Sequence, residues 1–246
     1  MSVKSILVSQ PKPSNGKSPY NDLSEKYNLT VDFRSFIHVE GLDVQEFRQQ
    51  KVKIEEHTAV IFTSRKGVDF FFKMCEEMRV KVSDSMKYFC MSEAVALYLQ
   101  NYVVYRKRKI FHGKTRFVDL IDTIKKHKDE KFLLPCSDIL KPIIPELLEK
   151  ENINYTKSIL YRTVCSDLSD LEDVSYDILV FYSPAGIESL YKNFPDFIQN
   201  KTKIACFGET TKKAVEKAGL SVDIHAPNPK YRSMTMAIDS YLKAFN

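Results

Sequence analysis

The chain has 246 residues, 43% of them hydrophobic and 28% charged, which suits one large or two ordinary globular domains and excludes a disordered or fibrous chain. Thirty-seven Lys and Arg against 32 Asp and Glu leave a net charge of +5, enough to favour an anionic partner, yet the densest basic run, Arg106 to Lys109, is too short for a nucleic-acid patch. No stretch approaches the roughly 20 apolar residues of a membrane span and Met1 opens no signal-peptide pattern, so the expectation is a cytoplasmic protein with neither membrane nor nucleic-acid partner.

In chain order, the apolar run Ile6, Leu7, Val8 opens a segment that closes on a helical stretch around Glu25-Lys26 and a predicted strand from Leu29 to Val39. Ala59 to Thr63 predicts a second strand. It breaks at Ser64-Arg65-Lys66-Gly67 and feeds a helical pattern through Phe70, Phe71, Met74, Cys75 and Met78. Tyr88 to Cys90 is followed by the helical MSEAVALYLQ, and LLPCSDILKPIIPELLEKENI leads into a long strand from Ile153 to Val164. Asp177 to Tyr182 breaks at Ser183-Pro184-Ala185-Gly186 before Ile187, Leu190 and Tyr191, and Ile204 to Phe207 precedes GETTKKAVEKAGL. Strands alternating with helices predict α/β architecture with parallel sheets.

The segments also repeat. FTSRKGVDFFF and FYSPAGIESLY set Ser64 against Ser183 at an offset of 119, and the next strand and helix follow with Ser92 against Glu209 at 117. Glu149-Lys150 stands over Glu25-Lys26 at 124, so the chain reads a, b, a, b, an internal duplication. Two domain assignments fit: sequential halves, or a continuous middle domain inserted between the two chain ends. Neither junction, near 38 or near 166, is Gly/Ser-rich, which predicts short extended connections.

Seven glycines that never cluster exclude a Walker loop and a GxGxxG turn, and there is no GxSxG elbow. The five cysteines form no CxxC pair and the five histidines no metal-ligand spacing, so reduced thiols and no metal or organic cofactor are expected. What recurs is a strand, a small hydroxyl residue and a helix: Thr63-Ser64, Ser137 after Pro135-Cys136, Ser183, and Thr210-Thr211 after Gly208. Outside the carboxyl ends of parallel strands, helix N-termini turn free N–H groups and partial positive charge outward, a setting for carboxylates. The plainer reading is that each Ser or Thr is a helix N-cap, worth about 1 kcal/mol.

These residues resemble the uroporphyrinogen-III synthase family over nearly the whole chain. The resemblance is carried by Phe62-Thr63-Ser64 with Gly67, by Phe181-Tyr182-Ser183-Pro184-Ala185-Gly186, by Gly208-Glu209-Thr210-Thr211, by Leu160-Tyr161-Arg162-Thr163-Val164, and by Pro227-Asn228-Pro229. The chain departs from the family pattern at Met91-Ser92-Glu93-Ala94 and at Ser9-Gln10-Pro11. The resemblance implies two similar α/β domains, each a parallel sheet flanked by helices, joined by two extended strands with a cleft between them. Domain 1 would comprise 1–37 and 167–246, and domain 2 would comprise 38–166.

It further implies a cofactor-free, monomeric lyase. Its substrate, the polycarboxylate hydroxymethylbilane, would be cyclised with inversion of ring D and loss of water. Thr63, Ser64, Ser137, Ser183, Gly186, Gly208, Thr210 and Thr211 would bind substrate carboxylates, and Tyr161 would assist departure of the hydroxyl. The alternatives are a non-catalytic tetrapyrrole- or anion-binding relative of the same fold and, disfavoured by the missing secretion signal, a periplasmic-type binding protein.

Overall fold

A computed structural model describes residues 3–14, 16–171 and 174–245. The first part of the chain forms β1 (Ser5–Val8), α1 (Pro19–Tyr27), β2 (Thr30–Phe33), β3 (Ile37–Gly41) and α2 (Val44–Gln49). Next come β4 (Ala59–Phe62), α3 (Arg65–Glu77), β5 (Lys87–Cys90), α4 (Glu93–Tyr98), β6 (Ile110–His112), α5 (Val118–Lys125), β7 (Phe132–Ser137), α6 (Ile143–Lys150) and β8 (Tyr155–Cys165). The last part holds β9 (Ile178–Phe181), α7 (Pro184–Asn193), β10 (Lys203–Phe207), α8 (Glu209–Lys217), β11 (Ile224–Ala226) and α9 (Met234–Phe245).

These elements divide into two compact units, a terminal unit of Met1–His38 with Val164–Asn246 and a middle unit of Val39–Thr163. In the terminal unit the sheet order is β11-β10-β9-β1-β2, and each neighbouring pair is parallel. Such a sheet must be covered on both faces, which is why β9 is a run of four buried apolar residues rather than an alternating one. Ile6, Val8, Ile178 and Val180 pack with Leu23 of α1 and Ile238 of α9. Leu7, Leu179 and Phe181 pack on the other face with Ile187 and Leu190 of α7 and Val215 of α8.

In the middle unit the order is β3-β8-β7-β4-β5-β6, with the ladders from β8 to β6 parallel. Val60 and Phe62 face Phe71 and Met74 of α3, whereas Ala59, Ile61 and Phe132 face Leu120 of α5 and Leu148 of α6. Reading β2-β1-β9-β10-β11 beside β8-β7-β4-β5-β6 shows the same five-strand arrangement in both sheets, entered by the chain at a different strand. That is the physical form of the a, b, a, b repeat, with β3 added at one edge of the middle sheet.

Two sequence expectations change. The ladders set Lys87 on Ala59 and Lys203 on Ile178, an offset of 116 at this strand, so Ser92 stands against Gly208 and Glu93 against Glu209, not Ser92 against Glu209. The single strand expected from Leu29 to Val39 is two strands. Between them Phe36 is fully buried, its ring edge-on to Phe181 at 5.7 Å, and its carbonyl accepts the Ser189 hydroxyl at 2.5 Å and the Ser166 N–H at 2.9 Å. Burying that ring takes the backbone out of the first sheet before β3 joins the second.

Candidate functional site

In an open parallel sheet the crevice for ligands lies where the strand order reverses, beyond the carboxyl ends. The reversals fall between β1 and β9 in the terminal unit and between β7 and β4 in the middle unit. Three of the hydroxyl turns picked from the sequence sit at these two places: Thr63-Ser64 after β4, Ser137 at the end of β7, and Ser183 after β9.

In the middle unit Ser64 is extended, and its Oγ accepts the Gly67 N–H at 3.0 Å, capping α3. Gly67 lets that first turn press on the end of β7: a Cβ there would lie 3.6 Å from the Pro135 carbonyl oxygen. The β7–β8 ladder shifts register between Cys136 and Ser137, so that Ser137 pairs with Tyr161. Bulges re-aim side chains, and here the Tyr161 hydroxyl comes within 3.3 Å of Ser64 Oγ while its ring stacks on Phe70 at 4.9 Å. Tyr161 is 8% exposed, and burial raises its pKa while the Ser64 hydroxyl pulls the other way. The phenol therefore stays protonated through neutral pH, a hydrogen-bond donor rather than a base. The Ser137 hydroxyl is committed to the Ile139 carbonyl at 2.7 Å, leaving its oxygen as an acceptor. Thr63 is half-buried beside Ser64.

In the terminal unit Ser183 occupies the N-cap of α7 without making a side-chain cap bond, so its hydroxyl is not spent on the helix start. A Cβ on Gly186 would lie 3.2 Å from Phe181 Cδ1, 3.7 Å from Ser9 Oγ and 3.9 Å from Ser183 Oγ, so this glycine holds α7 tight against the strand ends and both hydroxyls near them. Gly208 has φ 87° and ψ 150°, a backbone region essentially reserved for glycine, and its N–H donates to the Ala226 carbonyl at 2.6 Å. Of the two threonines that follow, Thr210 is exposed, whereas Thr211 is 1% exposed and offers no surface hydroxyl.

Two serines at these edges escaped the sequence reading as candidates. Ser9 lies where β1 ends, 9% exposed, and its N–H extends the ladder to the Val180 carbonyl at 2.9 Å. Ser92 is the N-cap of α4 and makes no side-chain cap bond. Their signal in the sequence is the strand-then-hydroxyl pattern itself, present at both positions.

Four of the cysteines are buried and Cys165 is half-buried, all unpaired, and burial pushes the Cys75 and Cys90 thiols up to about 12, so neither is a thiolate at neutral pH. Among the described residues no group of three or more His, Cys, Asp or Glu could hold a metal ion, and no helix is long and apolar enough to cross a membrane.

Both units of this duplicated parallel α/β scaffold set hydroxyls and helix starts at the carboxyl edges of their sheets. The sequence model of the family described as uroporphyrinogen-III synthase HemD matches residues 18–236, and the chain belongs to that family, whose members are cyclising lyases. Uroporphyrinogen-III synthase of Saccharomyces cerevisiae is 26% identical over 139 residues, a match that spans half of this chain and half of that protein. Among solved structures, uroporphyrinogen-III synthetase of Helicobacter pylori is 14% identical, with 98% of this chain and 99% of that one covered at a TM-score of 0.58. A mutant uroporphyrinogen III synthase of Thermus thermophilus, also 14% identical, covers 98% of each chain at 0.53. These likenesses show the shared fold, with its parallel sheets flanked by helices.

Proposed function

We propose that this chain cyclises hydroxymethylbilane to uroporphyrinogen III, in tetrapyrrole biosynthesis, as a cytoplasmic monomer without metal or organic cofactor. The observation that carries the reading is the meeting of Tyr161 and Ser64 at the β4/β7 reversal: the family-pattern tyrosine and the family-pattern serine, 97 residues apart, share a hydrogen bond beside a helix N-terminus.

In the implied reaction the hydroxyl of ring A leaves to give an azafulvene cation, the substituted carbon of ring D is attacked to form a spiro intermediate, and the ring closes inverted. Electron-rich pyrroles need little acid-base help, so the protein's task is to impose one closure over another that proceeds unaided. Ser183, with the N–H groups of the α3 and α7 starts, binds substrate carboxylates, Thr63 and Thr210 add hydroxyl donors, and Gly186 and Gly208, whose own N–H groups go to the Ser183 and Ala226 carbonyls, keep the backbone turns clear for the ligand. Ser64 already accepts from Gly67, so its proton is free to go to the Tyr161 oxygen, which frees the phenolic proton for the departing hydroxyl. A coupled assay supplying hydroxymethylbilane and resolving product isomers tests the proposal. Uroporphyrinogen III is the expected product, and formation of only the isomer that arises unaided would refute it.

A further inference from the structure

The ladder joining β2 to β1 runs one residue beyond the strands, with the Arg34 N–H donating to the Val8 carbonyl at 3.0 Å just as the Ser9 N–H donates to Val180. Ser9 and Arg34 therefore end neighbouring strands side by side, at a spacing of about 4.8 Å. Leu7 and Asp32 are register partners, and Leu7 packs in the core that α7 and α8 cover. Strand alternation puts Ser9 and Arg34, two residues on, on that same face. It is the face where Ser9 Oγ and Ser183 Oγ flank the start of α7.

The guanidinium is poorly served there. One amino group donates to Asp170, a carboxylate whose side chain is 61% exposed, while Arg34 Nε is buried with no hydrogen-bond partner among the described residues. An exposed ion pair contributes little to stability, whereas a buried donor left unpaired costs more than such a pair returns. A second carboxylate that took Nε and an amino group together, in the planar fork arginine favours, would satisfy both donors at once.

We infer that Arg34 is a substrate-binding residue of the terminal unit, which exchanges Asp170 for a carboxylate of the ligand arriving at the β1/β9 edge beside Ser9 and Ser183. The inference rests on the proposed function for the identity of that ligand. Asp170 is then a competitor for the guanidinium, and removing it must act in the opposite sense to removing Arg34. If Arg34 and Asp170 merely tie the loop around Asp170 to β2, both removals act in the same sense.

The test is isomer-resolved kinetics with hydroxymethylbilane on the wild type, Arg34→Gln, Arg34→Lys and Asp170→Asn. Fluorescence titration with uroporphyrin I, an octacarboxylate, runs in parallel. Arg34→Gln should raise KM and the porphyrin Kd about tenfold with kcat within about twofold, and Arg34→Lys should restore only part of that loss because an ammonium lacks the fork. Asp170→Asn should lower both constants about threefold. Changes of the same sign in Arg34→Gln and Asp170→Asn, or no change in the former, overturn the assignment. A wild type that binds the porphyrin but turns nothing over refutes the proposed activity alone, because the titration still reads Arg34. A wild type that does neither overturns both.

Discussion

Replacing Tyr161 with phenylalanine removes one oxygen and leaves the ring. That oxygen lies 3.3 Å from Ser64 Oγ, long for a bond between hydroxyls, and the ring keeps its stack on Phe70. A neutral bond of that length is worth about 0.5 to 1 kcal/mol. For a chain of this size the loss amounts to a fall of less than about 4 °C in Tm. The effect on turnover should be larger. A phenolic hydrogen bond that strengthens as the leaving oxygen gains charge should cost kcat about 10- to 100-fold when deleted, or about 1.4 to 2.7 kcal/mol, with KM changed less than about threefold.

Because burial raises the Tyr161 pKa above its ordinary 10.0, any falling limb of wild-type kcat from this group should lie at higher pH than that of a free phenol. Isomer-resolved stopped-time assays, corrected for folded fraction by near-ultraviolet circular dichroism, measure both quantities. A kcat per folded molecule equal to that of the wild type would refute the reasoning and leave Tyr161 as a packing residue.

Ser64 and Ser183 should separate in thermal melts. Ser64→Ala, which deletes a cap bond, should lose about 1 kcal/mol, and Ser183→Ala, which deletes none, less than about 0.5 kcal/mol, while Ser183→Ala raises KM and Ser64→Ala lowers kcat; equal losses of stability would contradict the capping difference. Gly208→Ala forces an L-residue to φ 87° and should cost about 1 to 3 kcal/mol by urea midpoint, whereas Gly186→Ala, whose new methyl displaces only the Phe181 ring edge, should cost about 1 kcal/mol. Asp239, bonded to Lys243, Lys26 and Tyr27, has a carboxyl held well below its ordinary 3.8, the Lys243 bond first among the causes. Its contribution is therefore complete above about pH 4 and is lost as pH falls through the folded value. Asp239→Asn should melt below the wild type at pH 6 by less than about 1 kcal/mol, the usual worth of an exposed pair, with the gap closing toward pH 2; a gap that widens in acid would reverse the sign of the argument.

Much of the architecture is local information, carried by residue type and spacing along the chain. Buried parallel strands must be short apolar runs and helices must begin at residues able to end a strand, so Ala59 to Phe62 before Ser64 and Ile178 to Phe181 before Ser183 read as the same unit twice. The hydroxyl turns were legible for the same reason. Three properties were decided only by tertiary structure.

The register between copies is one. A ladder sets Ser92 against Gly208, and a helical pattern cannot resolve a slip of one residue at its first turn. The second is which of two adjacent first-turn residues meets solvent. Thr210 and Thr211 are about 100° apart on the helix, and only packing against the sheet buries the latter. The third is partnership at long range. Tyr161 reaches Ser64 because β7 lies between β8 and β4 and its ladder to β8 shifts at Ser137, and Arg34 lies beside Ser9 because β2 pairs with β1. A sequence records residue types along one dimension, whereas these neighbours are set by hydrogen-bonded ladders between segments far apart in the chain.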